Sequence, residues 1–225
     1  MIYGGQKYMK SRKPYDLRII LFVWNFLLFS FSIIGTIRSS PELIYVIREF
    51  GFVHSICTNS YKNFQVSVCW NCLFLWSKVI ELFDTVFIVL RKKNLIFQHW
   101  FHHALTLFFS WYLASELSSI SRWYVAMNFF VHSLMYAYFA VKCASIWVPK
   151  LISMFITTVQ IIQMIIGTFC TFISLFILYK FNDCDISESG ILVAMFTYVV
   201  NLLLFIRFFY RSYLIKSTVN KEKAK

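Results

Sequence analysis

Charge is scarce in this 225-residue chain: 14% of its residues are Asp, Glu, Lys or Arg, whereas 59% are hydrophobic. A soluble domain of this size needs more polar surface, so the excess apolar side chains must meet lipid. Proline and glycine are few, three and six residues, which excludes long linkers. No internal repeat, low-complexity stretch or break in composition marks a second domain, so residues 1–225 read as a single membrane domain. Acidic residues number only ten against 22 Lys and Arg, giving a net charge of +12. That excess does not imply nucleic acid, because the basic residues stand at the ends of apolar stretches, where they set membrane topology. Residues 1–16 are basic and polar and do not read as a cleavable signal peptide.

What the chain has in plenty is aromatic and aliphatic side chains, Phe alone contributing 26 residues. A bilayer crossing needs about 20 apolar residues. Six stretches qualify: Leu17 to Ile37, Phe64 to Leu90, Leu95 to Ala114, Arg122 to Lys142, Val148 to Tyr179 and Gly190 to Arg211. The expected fold is an all-α polytopic membrane protein with six transmembrane helices. The fifth stretch exceeds one crossing, so tilt, a kink or extension beyond the bilayer is expected. An even number of crossings places both termini on one side. That side carries sixteen Lys and Arg residues against five on the other, Arg38, Arg48, Lys62, Arg122 and Lys180. The positive-inside rule makes the terminal side cytosolic. Lys221 and Lys223 stand five and three residues from the end, the spacing of a dilysine retrieval signal for the endoplasmic reticulum; a solvated basic tail is the alternative.

Among six cysteines, Cys69, Cys72, Cys143 and Cys170 fall in or beside apolar stretches and read as packing residues. The Cys69-x-x-Cys72 pair alone is a weak pointer to metal or redox chemistry. Cys57 and Cys184 fall in loops on the side opposite the termini, an oxidising compartment, and a disulfide is expected between them.

Polar groups inside lipid are costly and mark buried contacts or function. Four clusters occur: Lys78, Glu81, Asp84 and Thr85; His99, His102 and His103; Asn128, His132, Met135, Tyr136 and Tyr138; and Thr157, Gln160 and Gln163. Spacings of three and four put each cluster largely on one helix face. At 1.5 Å per residue, Glu81, His102, His132 and Gln160 each lie about 15 Å from the basic residue at the terminal-side end of their stretch. Scattered structural hydrogen bonds have no reason to agree in depth, so one shared polar site is expected. Beyond it the stretches are apolar, as in Phe172 to Leu178, and on its other side stand Arg91, Lys92 and Lys93. A cytosolic anionic head, a polar reaction zone and a dry apolar tunnel describe a site for a long acyl thioester.

The histidines admit two chemistries. His99, His102 and His103 share a face and could hold a metal. Membrane di-iron enzymes use several such boxes, however, and this chain has five histidines in all, too few for a di-iron centre. Alternatively, a neutral imidazole can attack a thioester and a second one can move protons, with no metal or cofactor. A polytopic transporter or receptor is the non-catalytic rival; it explains six crossings and a polar pocket but not a histidine box beneath basic residues.

The string Lys78-x-x-Glu81-Leu82-x-Asp84-Thr85-x-Phe87-x-x-Leu90-Arg91-Lys92 closely resembles the signature of the very-long-chain fatty acid elongase family. His99-x-x-His102-His103, Asn128-x-x-x-His132-x-x-Met135-Tyr136-x-Tyr138 and Thr157-x-x-Gln160-x-x-Gln163 match the family's other boxes in order, and the likeness runs from about Gly4 to the C-terminus. Within the family the resemblance is nearest to elongases of saturated and monounsaturated long chains, on Arg38 to Arg48, Ser55 to Cys57, Lys93 to His103 and Met154 to Thr157. Elongases of polyunsaturated chains tend to carry Gln where this chain has Asn94.

The resemblance implies an acyltransferase of the endoplasmic reticulum membrane, a very-long-chain 3-oxoacyl-CoA synthase. It would condense acyl-CoA with malonyl-CoA to 3-ketoacyl-CoA, CO2 and CoA, the first step of fatty acid elongation. The family fold has seven spans, the last six forming a barrel around an acyl tunnel; the first, peripheral helix precedes the region matching Gly4 to Lys7, so six helices are expected here. His102 would be the acyl-accepting nucleophile, through an acyl-imidazole intermediate, and His132 would face it. Lys78, Glu81, Asp84, His99 and His103 would shape the site, with Asn128, Tyr136, Gln160 and Gln163 in its polar surround. Arg91, Lys92 and Lys93 would meet CoA phosphates. Implied partners are the two CoA substrates, membrane lipid, the reductases and dehydratase of the elongation cycle and a second copy of the chain; no metal, cofactor or nucleic acid is implied. Cys57 and Cys184 correspond to a family disulfide. Gln98 stands where the family has Leu.

Overall fold

The computed structural model describes residues 2–116 and 118–215, so Lys221 and Lys223 lie outside the described residues. Those residues form helices and connecting turns, with no strand among them. In chain order they are α1 (Ile2–Met9), α2 (Arg18–Cys57), a 3-10 turn (Ser60–Asn63), α3 (Gln65–Ile80), α4 (Leu82–Leu90), α5 (Phe97–Ser115), α6 (Ser121–Cys143), α7 (Lys150–Phe181) and α8 (Glu188–Phe209), continued by a π-helical turn (Tyr210–Ile215). Four of these, α2, α6, α7 and α8 with its π turn, are long and apolar enough to cross a membrane. Their outward faces carry Phe26, Ile34, Phe172, Phe176 and Leu203, all exposed, while Asn201, Lys78 and Gln163 are buried. Apolar outside and polar inside is the arrangement lipid demands, and the chain is a multi-pass membrane protein.

Two of the six expected spans take a different form. The stretch from Phe64 to Leu90 is two helices, α3 and α4, divided at Glu81. There the backbone tightens, the Asp84 amide bonding back only three residues to the Glu81 carbonyl (3.2 Å). The third stretch is a single helix, α5, but Gln98, His99, His102 and His103 in its first half dilute its apolar character. The first stretch also runs further than expected. Instead of ending near Ile37, α2 continues through Pro41 to Cys57, broken only at Gly51, whose φ of 85° a side chain would resist. Its part before that break, residues 18–50, is about 50 Å long. Pro41 removes one helical hydrogen bond, but the next residue, Glu42, pairs with Arg122 of α6 at 3.0 Å, both side chains almost fully buried.

The helices touch in the order α2–α6–α7–α8–α5–α3–α2, with α4 also against α5 and α1 against α4. Close approach of α2 to α6 depends on Gly35, where an added Cβ would lie 2.7 Å from the Phe129 ring. That ring sits among Phe31, Trp70 and Phe74 at centroid distances of 5.4–5.9 Å. Continuous over 32 residues, α7 exceeds the bilayer's hydrocarbon thickness, as its sequence length implies. It ends where Asn182 turns left-handed (φ 51°) and returns its amide to the Leu178 carbonyl.

One end of the molecule is closed by a disulfide between Cys57 and Cys184. Around it the Asp185 amide donates to the Cys57 carbonyl (2.7 Å), the Asn59 amide to Asp185 Oδ2 (2.8 Å) and Arg122 Nη2 to the Thr58 carbonyl (2.7 Å). The other end carries Arg91, Lys92, Lys93, Lys142 and Lys150 at the opposite termini of the same helices. The molecule thus has a disulfide end and a basic end.

Candidate active site

Between the two ends, seven helices, α2 to α8, bring polar side chains to one zone. Lys78 Nζ donates to Glu81 Oε1 and to Asn128 Oδ1, each at 2.8 Å, and Ser77 Oγ adds a 3.3 Å bond to the same carboxylate oxygen. His132 Nδ1 stands 3.5 Å from Glu81 Oε1, and His103 Nδ1 3.9 Å from Glu81 Oε2. One carboxylate, 5% exposed, thus gathers groups from α3, α5 and α6. Buried charge persists only with such partners. Asp84, one turn on, accepts from Trp24 Nε1 of α2 (2.7 Å) and the Tyr136 hydroxyl of α6 (3.1 Å).

The histidines of α5 continue the zone. His99 and His103 have ring centroids 4.6 Å apart, and His102 and His103 5.7 Å apart. His102 Nδ1 lies 2.9 Å from Asn201 Oδ1 on α8, with the Phe205 ring edge-on at 5.5 Å. His99 Nε2 is buried with no hydrogen-bond partner among the described residues. Among those residues no group of three or more His, Cys, Asp or Glu side chains converges as a metal-ligand set.

Two cavities meet here. One, of about 310 Å³, runs toward the disulfide end between Lys78, His102, Asn128, Gln163 and Asn201 and the apolar Phe109, Leu113 and Val125. The other, of about 460 Å³, runs toward the basic end past Asp84, His99, His103, His132, Tyr136 and Gln160 to Arg91 and Lys93. Among the described residues, His102 is the one that lines both.

The candidates read from sequence divide between these spaces. Gln160 and Gln163, neighbours on α7, face different cavities, Gln160 donating to the Met135 sulfur at 3.5 Å. Glu81 lines neither cavity and sits behind the histidines. Lys92, with a left-handed φ of 53°, turns its ammonium to the Lys10 carbonyl (3.3 Å) and lines neither. Gln98 faces the basic-end cavity beside His99. Trp24, Asn25 and Asn201 are additions to the expected set: Asn25 and Asn201 line the cavities, and Trp24 holds Asp84. A lone polar residue in an apolar stretch was the available sign of the two asparagines; nothing in the sequence distinguishes Trp24 from the other tryptophans.

Chemically, the zone offers a nucleophilic nitrogen between a basic-mouthed chamber and a mostly apolar one, with a second imidazole held by a carboxylate. Comparison with known proteins places this arrangement. The family model described as ELO, the GNS1/SUR4 family, matches residues 1–222. The chain is 45% identical over 218 residues to Very long chain fatty acid elongase 6 of Drosophila melanogaster, covering 95% of this chain and 69% of that protein. It is 40% identical over 225 residues to Long chain fatty acid elongase 2 of Caenorhabditis elegans (98% and 81%). Against Very long chain fatty acid elongase 6 of Homo sapiens it is 36% identical over 213 residues (95% and 80%). A family match along nearly the whole length, joined to relatives of this similarity, establishes that the chain belongs to the ELO (GNS1/SUR4) family of fatty acid elongases.

Proposed function

We propose that this protein condenses a long-chain saturated or monounsaturated acyl-CoA with malonyl-CoA, giving 3-ketoacyl-CoA, CO2 and CoA. The observation that carries this reading is the position of His102 at the junction of the two cavities. The acyl chain lies in the disulfide-end cavity. CoA occupies the basic-end cavity, its phosphates on Arg91 and Lys93, whose charge-assisted hydrogen bonds suit phosphate. The thioester carbonyl then falls at His102, whose free nitrogen attacks it; the C–S bond breaks and CoA thiolate leaves. Malonyl-CoA follows into the emptied basic-end cavity and loses CO2. The carbanion so formed attacks the acyl carbon and returns His102 as a free imidazole.

His132, with Nδ1 toward Glu81, lines the basic-end cavity, where it assists the condensation step. His99 and His103 complete the polar wall there, Lys78, itself bonded to Asn128, fixes Glu81 behind it, and Tyr136 fixes Asp84 within it. The cyclic order of helix contacts supports a six-helix barrel around this path, with α3–α4 and α5 as the two additional crossings. No metal or cofactor is needed for either step. The excess of Lys and Arg on the basic end orients it to the cytosol of the endoplasmic reticulum membrane and leaves the disulfide in the oxidising lumen.

The test is incubation of membranes containing this protein with labelled malonyl-CoA and saturated acyl-CoAs of graded length, beside His102→Ala. Labelled 3-ketoacyl product from the unaltered protein alone is expected. Product from His102→Ala at an unchanged rate would refute the assignment of the nucleophile, and no product from well-folded unaltered protein would refute the condensation.

A further inference from the structure

The sixth apolar stretch carries a buried amide whose orientation fixes the chemistry of its neighbour. Asn201 is 1% exposed on α8. Its Nδ2 donates to the Thr197 carbonyl one helical turn back, at 2.9 Å. That bond determines which way the amide faces, because the reversed amide would set two oxygens against each other. Oδ1 is therefore the atom 2.9 Å from His102 Nδ1. An amide oxygen only accepts hydrogen bonds, so the contact forms only when His102 carries a proton on Nδ1. In a neutral imidazole that leaves Nε2 with an unshared pair. The ring's aromatic neighbours are Phe205, edge-on at 5.5 Å, and His103 at 5.7 Å.

We infer that Asn201 is a positioning residue that locks His102 in the Nδ1–H tautomer and so presents the Nε2 electron pair where the two cavities meet. This deepens, and rests on, the reading of His102 as the acyl acceptor. The electron accounting follows from it. Nε2 attacks the thioester carbon, the C–S electron pair leaves with CoA as thiolate, and the ring becomes an N-acylimidazolium still holding its Nδ1 proton on Asn201 Oδ1. When the carbanion from malonyl-CoA attacks, the C–N electrons return to Nε2 and the same neutral tautomer is restored. The Nδ1 proton never leaves the ring, and one proton from solvent converts the thiolate to CoA.

Two measurements test this. The first is ¹⁵N NMR of histidine-labelled, substrate-free protein, with the His102 resonances assigned by their loss in His102→Phe. A protonated Nδ1 and bare Nε2 are expected, giving way to a mixture of tautomers in Asn201→Leu; a protonated Nε2 in the unaltered protein would overturn the inference. The second is single-turnover transfer of labelled acyl groups from acyl-CoA to the protein. Asn201→Leu should slow acylation on the order of 100-fold while acyl-CoA binding stays within about twofold, because a misplaced nucleophile costs rate rather than affinity. Asn201→Asp, which keeps an acceptor oxygen, should recover most of that rate. Acylation of Asn201→Leu at the unaltered rate would overturn the inference. If the tautomer is as expected but the unaltered protein never takes up an acyl group, the role of Asn201 toward His102 stands and the acyl-acceptor reading fails instead.

Discussion

Replacing Lys78 by Met would leave the Glu81 carboxylate, 5% exposed, with the Ser77 hydroxyl and two imidazoles for company. Losing one member of a buried ion pair costs about 3–5 kcal/mol, whereas replacing both members by apolar groups is often neutral. Lys78→Met should therefore unfold markedly earlier than the parent in detergent, and Lys78→Met with Glu81→Leu should recover much of that loss while remaining inactive. A double variant no more stable than the single one would show that the pair's surroundings, not its charge, set the cost. The sequence makes this pair visible, since charges three apart in an apolar stretch have few other uses. It makes Asn201 much less visible: a single amide in a run of Val, Leu and Phe announces burial but not its partner, and the partner is 99 residues away. Spacing reveals groups on one helix face; only packing reveals which face meets which.

At the level of helices, α2 and α6 approach closely at Gly35. Even the methyl of Gly35→Ala would fall 2.7 Å from the Phe129 ring, which is itself wedged among three other aromatics. Overpacking of this kind costs about 1–3 kcal/mol. Pairing Gly35→Ala with Phe129→Leu should return part of it, as a nonadditive term in a thermal-unfolding cycle; strict additivity would mean the two residues are not coupled. The helices themselves were largely readable from runs of apolar residues, and the limits of α6 and α7 follow the sequence within about two residues. The division of the second stretch was not, because Ile80-Glu81-Leu82 has no proline or glycine and its break arises from contacts of Glu81 with other helices. Nor was the continuation of α2 past Pro41, which normally argues for an end; the Glu42–Arg122 pair that holds it joins residues 80 apart.

Taken whole, the molecule has two unlike ends, and each makes its own prediction. At the disulfide end, Cys57–Cys184 spans 127 residues and ties α2 to the loop before α8. Replacing both cysteines by serine should lower stability by about 2–5 kcal/mol, measured as earlier unfolding, with reductant reproducing the loss in the parent and having no effect on the variant. The cavities divide the same way. If the basic-end chamber holds CoA, Arg91→Ala with Lys93→Ala removes charge-assisted hydrogen bonds worth about 1.5–3 kcal/mol each. The KM for acyl-CoA should then rise about 100-fold or more, and less so at high salt, with the range of acyl lengths unchanged. If the chamber toward the disulfide holds the acyl chain, filling it should do the converse. Ser110, 9% exposed and lining that chamber, is suited to this: Ser110→Trp should abolish turnover of the longest acyl-CoAs while sparing shorter ones. If head and tail are held in these separate spaces, each variant must move one parameter and leave the other. Should both alter acyl length, or both alter KM uniformly, the two cavities would not be the two halves of one substrate site.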